Sequence, residues 1–272
     1  MMTLASVLLL VTGAYGCGTP TFEPSVSRVV NGEDTRPYSW PWQISLQYRS
    51  GPKYRHTCGG TLIAPNWVMT AGHCIGSRTY RVVLGEYDFT KQENSEEIKS
   101  VERIIVHPSW NDNCVSCGND IALIKLATPA TLNDKVQPSC LPESGDVVVH
   151  NDSCYITGWG RLYSKYSSNG GPIASKLQQA HLPVVGHSTC SSSDWWGSMI
   201  KSSMVCAGGD IRSGCHGDSG GPLNCKGSNG RWFVQGVASF VSSQGCNTIR
   251  RPTVFTRTSS FTEWISDIML HY

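Results

Sequence analysis

The sequence has little that would place it on a membrane or on a nucleic acid. Beyond residue 16 no apolar stretch approaches the ~20 residues of a transmembrane helix, so the mature chain is expected to be soluble and to have no membrane partner. Lys and Arg nearly balance Asp and Glu, leaving a formal charge of +2, and no run of Lys or Arg forms a basic stripe. A field that weak implies no nucleic-acid partner, and charge by itself identifies no partner of any kind. No internal repeat is visible, so any likeness between two halves would have to be structural. The one hydrophobic segment near the amino terminus, Leu4 to Val11, is too short to span a bilayer, and Ala14 and Gly16 follow it, flanking Tyr15. It reads as a secretory signal peptide over residues 1–16, and hence as a secreted, extracellular protein. No Lys or Arg precedes the apolar segment, only the amino terminus supplying positive charge, and a buried hydrophobic arm is the alternative.

What is present points to β-structure. Hydrophobic content of 39% with 28 Gly and 14 Pro suits many short strands joined by tight turns, and 272 residues hold one large all-β domain or two ordinary ones. Short β-type runs recur at Gln43 to Tyr48, Thr61 to Ile63, Trp67 to Thr70, Arg81 to Leu84, Ile104 to Val106 and Ile121 to Leu126. A second series follows Pro138: Cys154 to Thr157, Gln178 to Val185, Met204 to Ala207, Arg231 to Phe240 and Thr253 to Thr256, with Gly227-Ser228-Asn229-Gly230 as a hairpin turn. Only the C-terminus is helical, since Phe261, Trp264, Ile265, Ile268 and Met269 fall at three- and four-residue steps. Residues 17–28 are rich in Pro, Ser and Thr and end at Arg28 before Val29-Val30-Asn31-Gly32, as a linker with a cleavable end would. Twelve cysteines are an even number, and an oxidising compartment makes disulfides the default, although spacing leaves their connectivity open.

Acyl transfer by serine needs a base for the hydroxyl proton, a carboxylate to orient that base, and donors for the oxyanion. Three motifs supply these groups: Thr70-Ala71-Gly72-His73-Cys74, Gly118-Asn119-Asp120-Ile121-Ala122-Leu123, and Gly214-Cys215-His216-Gly217-Asp218-Ser219-Gly220-Gly221-Pro222. Singly each has a bland reading as packing, a turn or a loop; together, in this order, they point to catalysis. They resemble the chymotrypsin-like serine proteases, and the likeness runs from Arg28 to the C-terminal helix. It implies an all-β fold of two packed antiparallel six-stranded β-barrels, divided near 138–142, with a C-terminal α-helix. It also implies a peptidase domain over 29–272, Ser219 as nucleophile, His73 as base, Asp120 as its orienting acid, and the N–H groups of Gly217 and Ser219 as oxyanion hole.

Further segments resemble the pancreatic elastases: Val29-Val30-Asn31-Gly32-Glu33, Pro37-Tyr38-Ser39-Trp40-Pro41-Trp42-Gln43, Leu84-Gly85-Glu86-Tyr87 and Tyr155-Ile156-Thr157-Gly158-Trp159-Gly160. Asp194-Trp195-Trp196-Gly197-Ser198, Cys114-Val115-Ser116-Cys117 and Ile211-Arg212-Ser213-Gly214-Cys215 are most similar to the type-3 (proteinase E) group. That resemblance implies the pairs Cys58 with Cys74, Cys154 with Cys225, Cys190 with Cys206 and Cys215 with Cys246. Cys17 would then tether the propeptide to Cys140. Cys114 and Cys117 fit a local disulfide, the alternative being a redox or zinc pair.

The specificity pocket is implied to involve Ser213, Ser239, Val241 and Thr253. Ser213 stands where trypsin-like relatives carry Asp, and the β-branched Val241 and Thr253 should shorten the pocket to suit Ala or Val; trypsin-like or chymotrypsin-like specificity is the rival. His216, where Asn is usual, sits at the rim either as a second titrating group or as an exposed side chain without kinetic effect. Cutting after Arg28 by a trypsin-like protease would free the Val29 ammonium to pair with Asp218, which His56 would hold in the uncut chain. No cofactor is required for catalysis. Glu86 and Glu96, with Asp88 and Glu93 between them, lie where relatives bind Ca2+, a solvated acidic loop being the alternative. Asn151-Asp152-Ser153 fits the short N-glycosylation pattern. The implied partners are protein and peptide substrates, the activating protease and protein protease inhibitors, acting on a monomer. A catalytically dead binding protein of the same fold is the reading from another class.

Overall fold

The computed structural model describes residues 16–26, 32–161, 172–210 and 213–272. Most of the expected signal peptide, and the Arg28 and Val29 of the expected activation site, lie outside these residues. Among the described residues no helix is long and apolar enough to cross a membrane.

The first barrel comprises six strands: β2 (Gln43–Ser50), β3 (Lys53–Ala64), β4 (Trp67–Thr70), β5 (Tyr80–Leu84), β6 (Glu97–Val106) and β7 (Ala122–Leu126). The second comprises β8 (Ser153–Gly158), β9 (Gln178–Val185), β10 (Met204–Ala207), β11 (Pro222–Lys226), β12 (Trp232–Phe240) and β13 (Thr253–Arg257), and a two-residue β1 (Glu33–Asp34) lies against β9. The first closes in the order β2-β3-β4-β7-β6-β5 and the second in the order β8-β9-β10-β13-β12-β11, every pairing antiparallel. Closure leaves no free sheet edge in either body. The helix Thr262–His271 follows β13 and buries Ile265.

The strands expected at Thr61 to Ile63 and Ile104 to Val106 are the inner ends of longer ones. Lys53 to Thr57 of β3 and Glu97 to Arg103 of β6 are mostly part-exposed and polar, which hides them from a search for apolar alternation. Strand β11 was not anticipated. It starts on Pro222, which has no N–H to give the ladder, and carries a polar Asn224 at its centre. The hairpin turn at 227–230 forms as expected, with Gly230 N–H donating to the Gly227 carbonyl and Gly227 N–H to that of Arg231.

Asn224 explains why a polar residue belongs there. Fully buried, its Oδ1 accepts from Trp42 Nε1 at 2.7 Å, while its Nδ2 donates to the Tyr155 carbonyl at 3.2 Å and to Thr157 Oγ1 at 3.1 Å. Thr157 Oγ1 in turn donates to Gln43 Oε1 at 2.7 Å. Trp42 and Gln43 belong to the first barrel's side of the join, and Asn224 and Thr157 to the second. Trp40 adds a parallel link, its indole donating to Gln179 Oε1 at 2.8 Å.

The six cysteine pairs implied by resemblance are all formed: 17–140, 58–74, 114–117, 154–225, 190–206 and 215–246. Cys114 and Cys117 are thus bonded to each other and hold no zinc. Cys140 lies in the crossing segment between the barrels, and its bridge to Cys17 anchors residues 17–26 there. Gly18 N–H donates to the Pro138 carbonyl and Trp232 N–H to that of Gly18.

The barrel join generates a stability prediction. Asn224→Ala strips Trp42 Nε1 of its acceptor and removes two donors in a buried site, at about 1–3 kcal/mol for each group left unsatisfied. Denaturant unfolding should therefore lose about 3 kcal/mol or more, against under about 1 kcal/mol for exposed Asn229→Ala; equal losses would deny the join this role.

Candidate active site

His73 sits in the short turn Gly72–Cys74 that ends β4, and the Cys58–Cys74 bridge ties that turn back to β3. Asp120 arrives from a loop whose last two residues before it, Gly118 and Asn119, both have left-handed backbone, φ +87° and +59°. Fully buried, it accepts from His73 twice: the backbone N–H reaches Oδ1 at 2.9 Å and ring Nδ1 reaches Oδ2 at 2.7 Å. Ser239 Oγ donates to the same Oδ2 at 2.5 Å, and Thr256 Oγ1 to the Asp120 carbonyl at 2.8 Å. An acceptor at Nδ1 fixes the hydrogen there and leaves Nε2 as the ring's base. Ser239 reaches across because the β12–β13 register shifts between Ala238 and Phe240, leaving it out of the ladder. Its contact with Asp120, made across the barrel join, was not legible in sequence.

Ser219 lies on the same cavity wall as His73, and its carbonyl accepts from Gly59 N–H of β3 at 2.8 Å. The preceding Gly217 has φ +106°, and a Cβ there would stand 3.0 Å from Gly160 Cα. At Gly220, φ +75°, a Cβ would come 2.2 Å from Thr70 Oγ1. Both positions therefore need glycine for the loop to pack down against Gly160 and Thr70.

Asp218 is partly exposed as a residue, but its carboxyl turns inward. Oδ1 accepts from Gly160 N–H and Oδ2 from Cys215 N–H, each at 2.8 Å. Burial pushes this carboxyl above the usual carboxylate range, the two N–H bonds pulling the other way. No cation pairs with it among the described residues.

The expected contact between His56 and Asp218 is not made. His56 Nε2 donates to the Gly217 carbonyl at 3.1 Å and its Nδ1 lies 2.8 Å from Ser45 Oγ. The ring, packed by Phe89 and Trp159, has its pKa lowered to about 4 by burial, so it is neutral and serves as a hydrogen-bond donor, not as a counter-ion.

A cavity of about 310 Å³ opens between His73 and Ser219, walled by Gly214 to His216, Ala238 to Val241, Ile156 and Thr253. Val241, Thr253, Ser239 and exposed His216 are among its lining residues, and so are Ile156 and Phe240, from separate strands, which the sequence reading did not name. Ser213 lies behind that wall, its Oγ donating to the Gly214 carbonyl at 2.8 Å and standing 2.9 Å from Thr253 Oγ1. The one carboxylate among the lining residues is that of Asp218, already taken up by backbone.

On the first barrel, Glu86, Glu93 and Glu96 bring carboxylate oxygens within 4.8 Å of one another. Burial, then the charges of Glu96 and Glu93, raises Glu86 to about 7. Asp88 stands outside this cluster, its Oδ1 accepting from the backbone and hydroxyl of Thr90. Asn151 is exposed.

Against known proteins, the family model described as Trypsin matches residues 29–265. The chain is 59% identical over 270 residues to chymotrypsin-like elastase family member 3B of Homo sapiens, covering 98% of each chain. It is 60% identical over 251 residues to proproteinase E of Bos taurus, covering 91% of this chain and 97% of the relative. Chymotrypsin-like elastase family member 1 of Canis lupus familiaris is 54% identical over 257 residues, covering 94% of this chain and 97% of its own. With both barrels closed around that cleft and the likeness spanning nearly the whole chain, the protein belongs to the trypsin family of serine proteases, among its chymotrypsin-like elastases.

Proposed function

We propose that this protease is a secreted digestive endopeptidase, made as a zymogen, that cuts after small aliphatic residues. The observation that carries the reading is the cavity beside Ser219, with Val241 and Thr253 on its wall and no free carboxylate to hold a cationic side chain. In this reading Ser219 Oγ attacks the substrate carbonyl, and His73 Nε2 takes its proton and returns it to the leaving amine. Asp120, braced by Ser239, holds the Nδ1–H tautomer, and the N–H groups of Gly217 and Ser219 receive the oxyanion; these are the roles such residues take across this family. No cofactor enters these steps.

Activation follows from Asp218. A carboxylate drawn inward with only backbone donors is a site for a new cation, and cleavage after Arg28 by a trypsin-like protease would supply the Val29 ammonium. Pairing would lower the cost of the buried charge and lock the oxyanion loop. The propeptide would stay attached through Cys17 and Cys140, and Gln179 Nε2, which donates to the Ser25 carbonyl at 2.6 Å, adds a noncovalent hold. We further assign Ca2+ to Glu86, Glu93 and Glu96, a set of hard oxygen donors whose mutual repulsion a cation would relieve. Protein protease inhibitors are the other expected partners of the monomeric enzyme.

Three outcomes are expected. A cleavage profile of the trypsin-activated protein on a mixed peptide library should be led by Ala, then Val, with a modest margin because one methylene is worth only about 1–3 kcal/mol; a profile led by Tyr, Phe, Lys or Arg would refute the assignment. Arg28→Gln should stay inactive with trypsin and Asp218→Asn should be cut yet nearly inactive, with the 17–28 peptide retained on non-reducing gels. Activity in uncut Arg28→Gln protein would refute the switch. For Ca2+, folding raises the Glu86 pKa, so without the ion stability falls as pH rises toward about 7. Above that pH the ionised group is free to bind, so millimolar Ca2+ should raise Tm more at pH 8 than at pH 6, and Glu96→Gln should remove the difference.

A further inference from the structure

Between Asp34 and Glu86 the sequence contains no Asp or Glu, yet it carries Arg49, Lys53, Arg55, Arg78 and Arg81. Dispersed in sequence, these residues form no basic run; the fold gathers them. The β2–β3 hairpin pairs Tyr48 with Arg55 and Arg49 with Tyr54, and β5 adds Arg81 opposite Gln47 on the other edge of β2. Arg78 lies over the Tyr48 ring and Arg81 over the Tyr54 ring, each guanidinium carbon 4.2 Å from the centroid. Stacking holds two of the cations in place without neutralising them. Arg49, Lys53, Arg55 and Arg78 are exposed, and none of the five forms an ion pair with a carboxylate among the described residues.

The position of this face relative to the cleft gives it a use. Strand β3 runs from Lys53 and Arg55 directly to the catalytic loop: His56 donates to the Gly217 carbonyl, and Gly59 N–H to that of Ser219. At about 3.4 Å per residue, Arg55 stands ~14 Å and Lys53 ~20 Å from the Gly59 contact. The acyl side of a substrate is taken by the second barrel, whose residues form most of the specificity cavity. The chain on the other side of the scissile bond therefore leaves toward the first barrel, past β3. Counting the reach of Arg and Lys side chains, about two to five extended residues span the gap.

We propose that this basic face selects polypeptide substrates that carry acidic residues on the leaving-group side of the scissile bond. The inference rests on the elastase-like reading of the acyl side and adds a second determinant to it. Cations with no carboxylate partner attract an oncoming carboxylate and raise its local concentration, so the effect enters through association and weakens with salt.

The test uses the trypsin-activated protein and paired peptides with Ala before the bond and Glu or Gln at the second to fifth positions after it. At low ionic strength kcat/KM should favour the Glu peptide by about tenfold, the lower end of steering effects, and the margin should shrink toward parity near 1 M salt, where the Debye length is about 3 Å. The double variant Lys53→Glu with Arg55→Glu should lose or reverse the preference, while its hydrolysis of an Ala anilide with nothing after the bond stays unchanged. Equal cleavage of both peptides at low salt, or a preference that survives the double variant, would overturn the proposal. So would tight retention on a sulfated polysaccharide without discrimination between peptides, which would assign the face to a glycan. Failure of the Ala anilide in the parent enzyme would instead overturn the acyl-side reading and leave the peptide comparison to decide this one.

Discussion

Two closed barrels have no edge strands with which to join each other, so the catalytic cleft depends on side chains buried between them. Asn224, Thr157, Gln43 and Trp42 form the centre of that join, and the contacts of the site that cross between the barrels are inherited from it. Asp120 and His73 come from one barrel, while Ser219, Ser239 and the rest of the cavity wall come from the other. A small rotation at the join would move Ser239 off Asp120 and Gly59 off the Ser219 carbonyl together, which is why a fully satisfied polar network serves better there than an apolar contact. Apolar packing tolerates sliding; a donor and its acceptor at 2.7 Å do not.

The catalytic loop adds a second constraint. Gly217 and Gly220 occupy left-handed backbone in places where even one methyl group would strike the backbone of Gly160 or the hydroxyl of Thr70. The loop is thereby pressed against its surroundings, and its carbonyls are consumed by Gly59 and His56. Its own N–H groups are partly engaged as well, Asp218 N–H on the Cys215 carbonyl and Gly220 N–H on that of Ala238. Asp218 is packed onto the Gly158 to Gly160 backbone, where a Cβ at Gly160 would come 2.3 Å from its Oδ2.

Charge works differently at the two sites outside this centre. In the acidic loop, burial and then the neighbouring charges of Glu96 and Glu93 raise Glu86 to about 7, so charge there is crowded and partly shielded from solvent. On the hairpin face, cations are spaced by tyrosine rings and left open to solvent, so they act at range on whatever chain passes along β3.

Much of this was determined by sequence alone. Local chemistry dictated the three catalytic motifs, the short β-type runs from Trp67 to Thr70 and Gln178 to Val185, the hairpin turn at 227–230 and the C-terminal helix, because turn residues and hydrophobic periods act over a few neighbours. Resemblance supplied the cysteine pairs that spacing left open. Tertiary structure decided the rest. Ser239 became a partner of Asp120 through a bulge, and Asn224 became a central residue of a strand that its own sequence argued against. His56 went to Gly217 and not to Asp218, and five dispersed cations became one surface. Each of these depends on groups far apart in the chain meeting at hydrogen-bond or Coulombic distance, and that meeting is set by barrel closure and register, which no local pattern encodes.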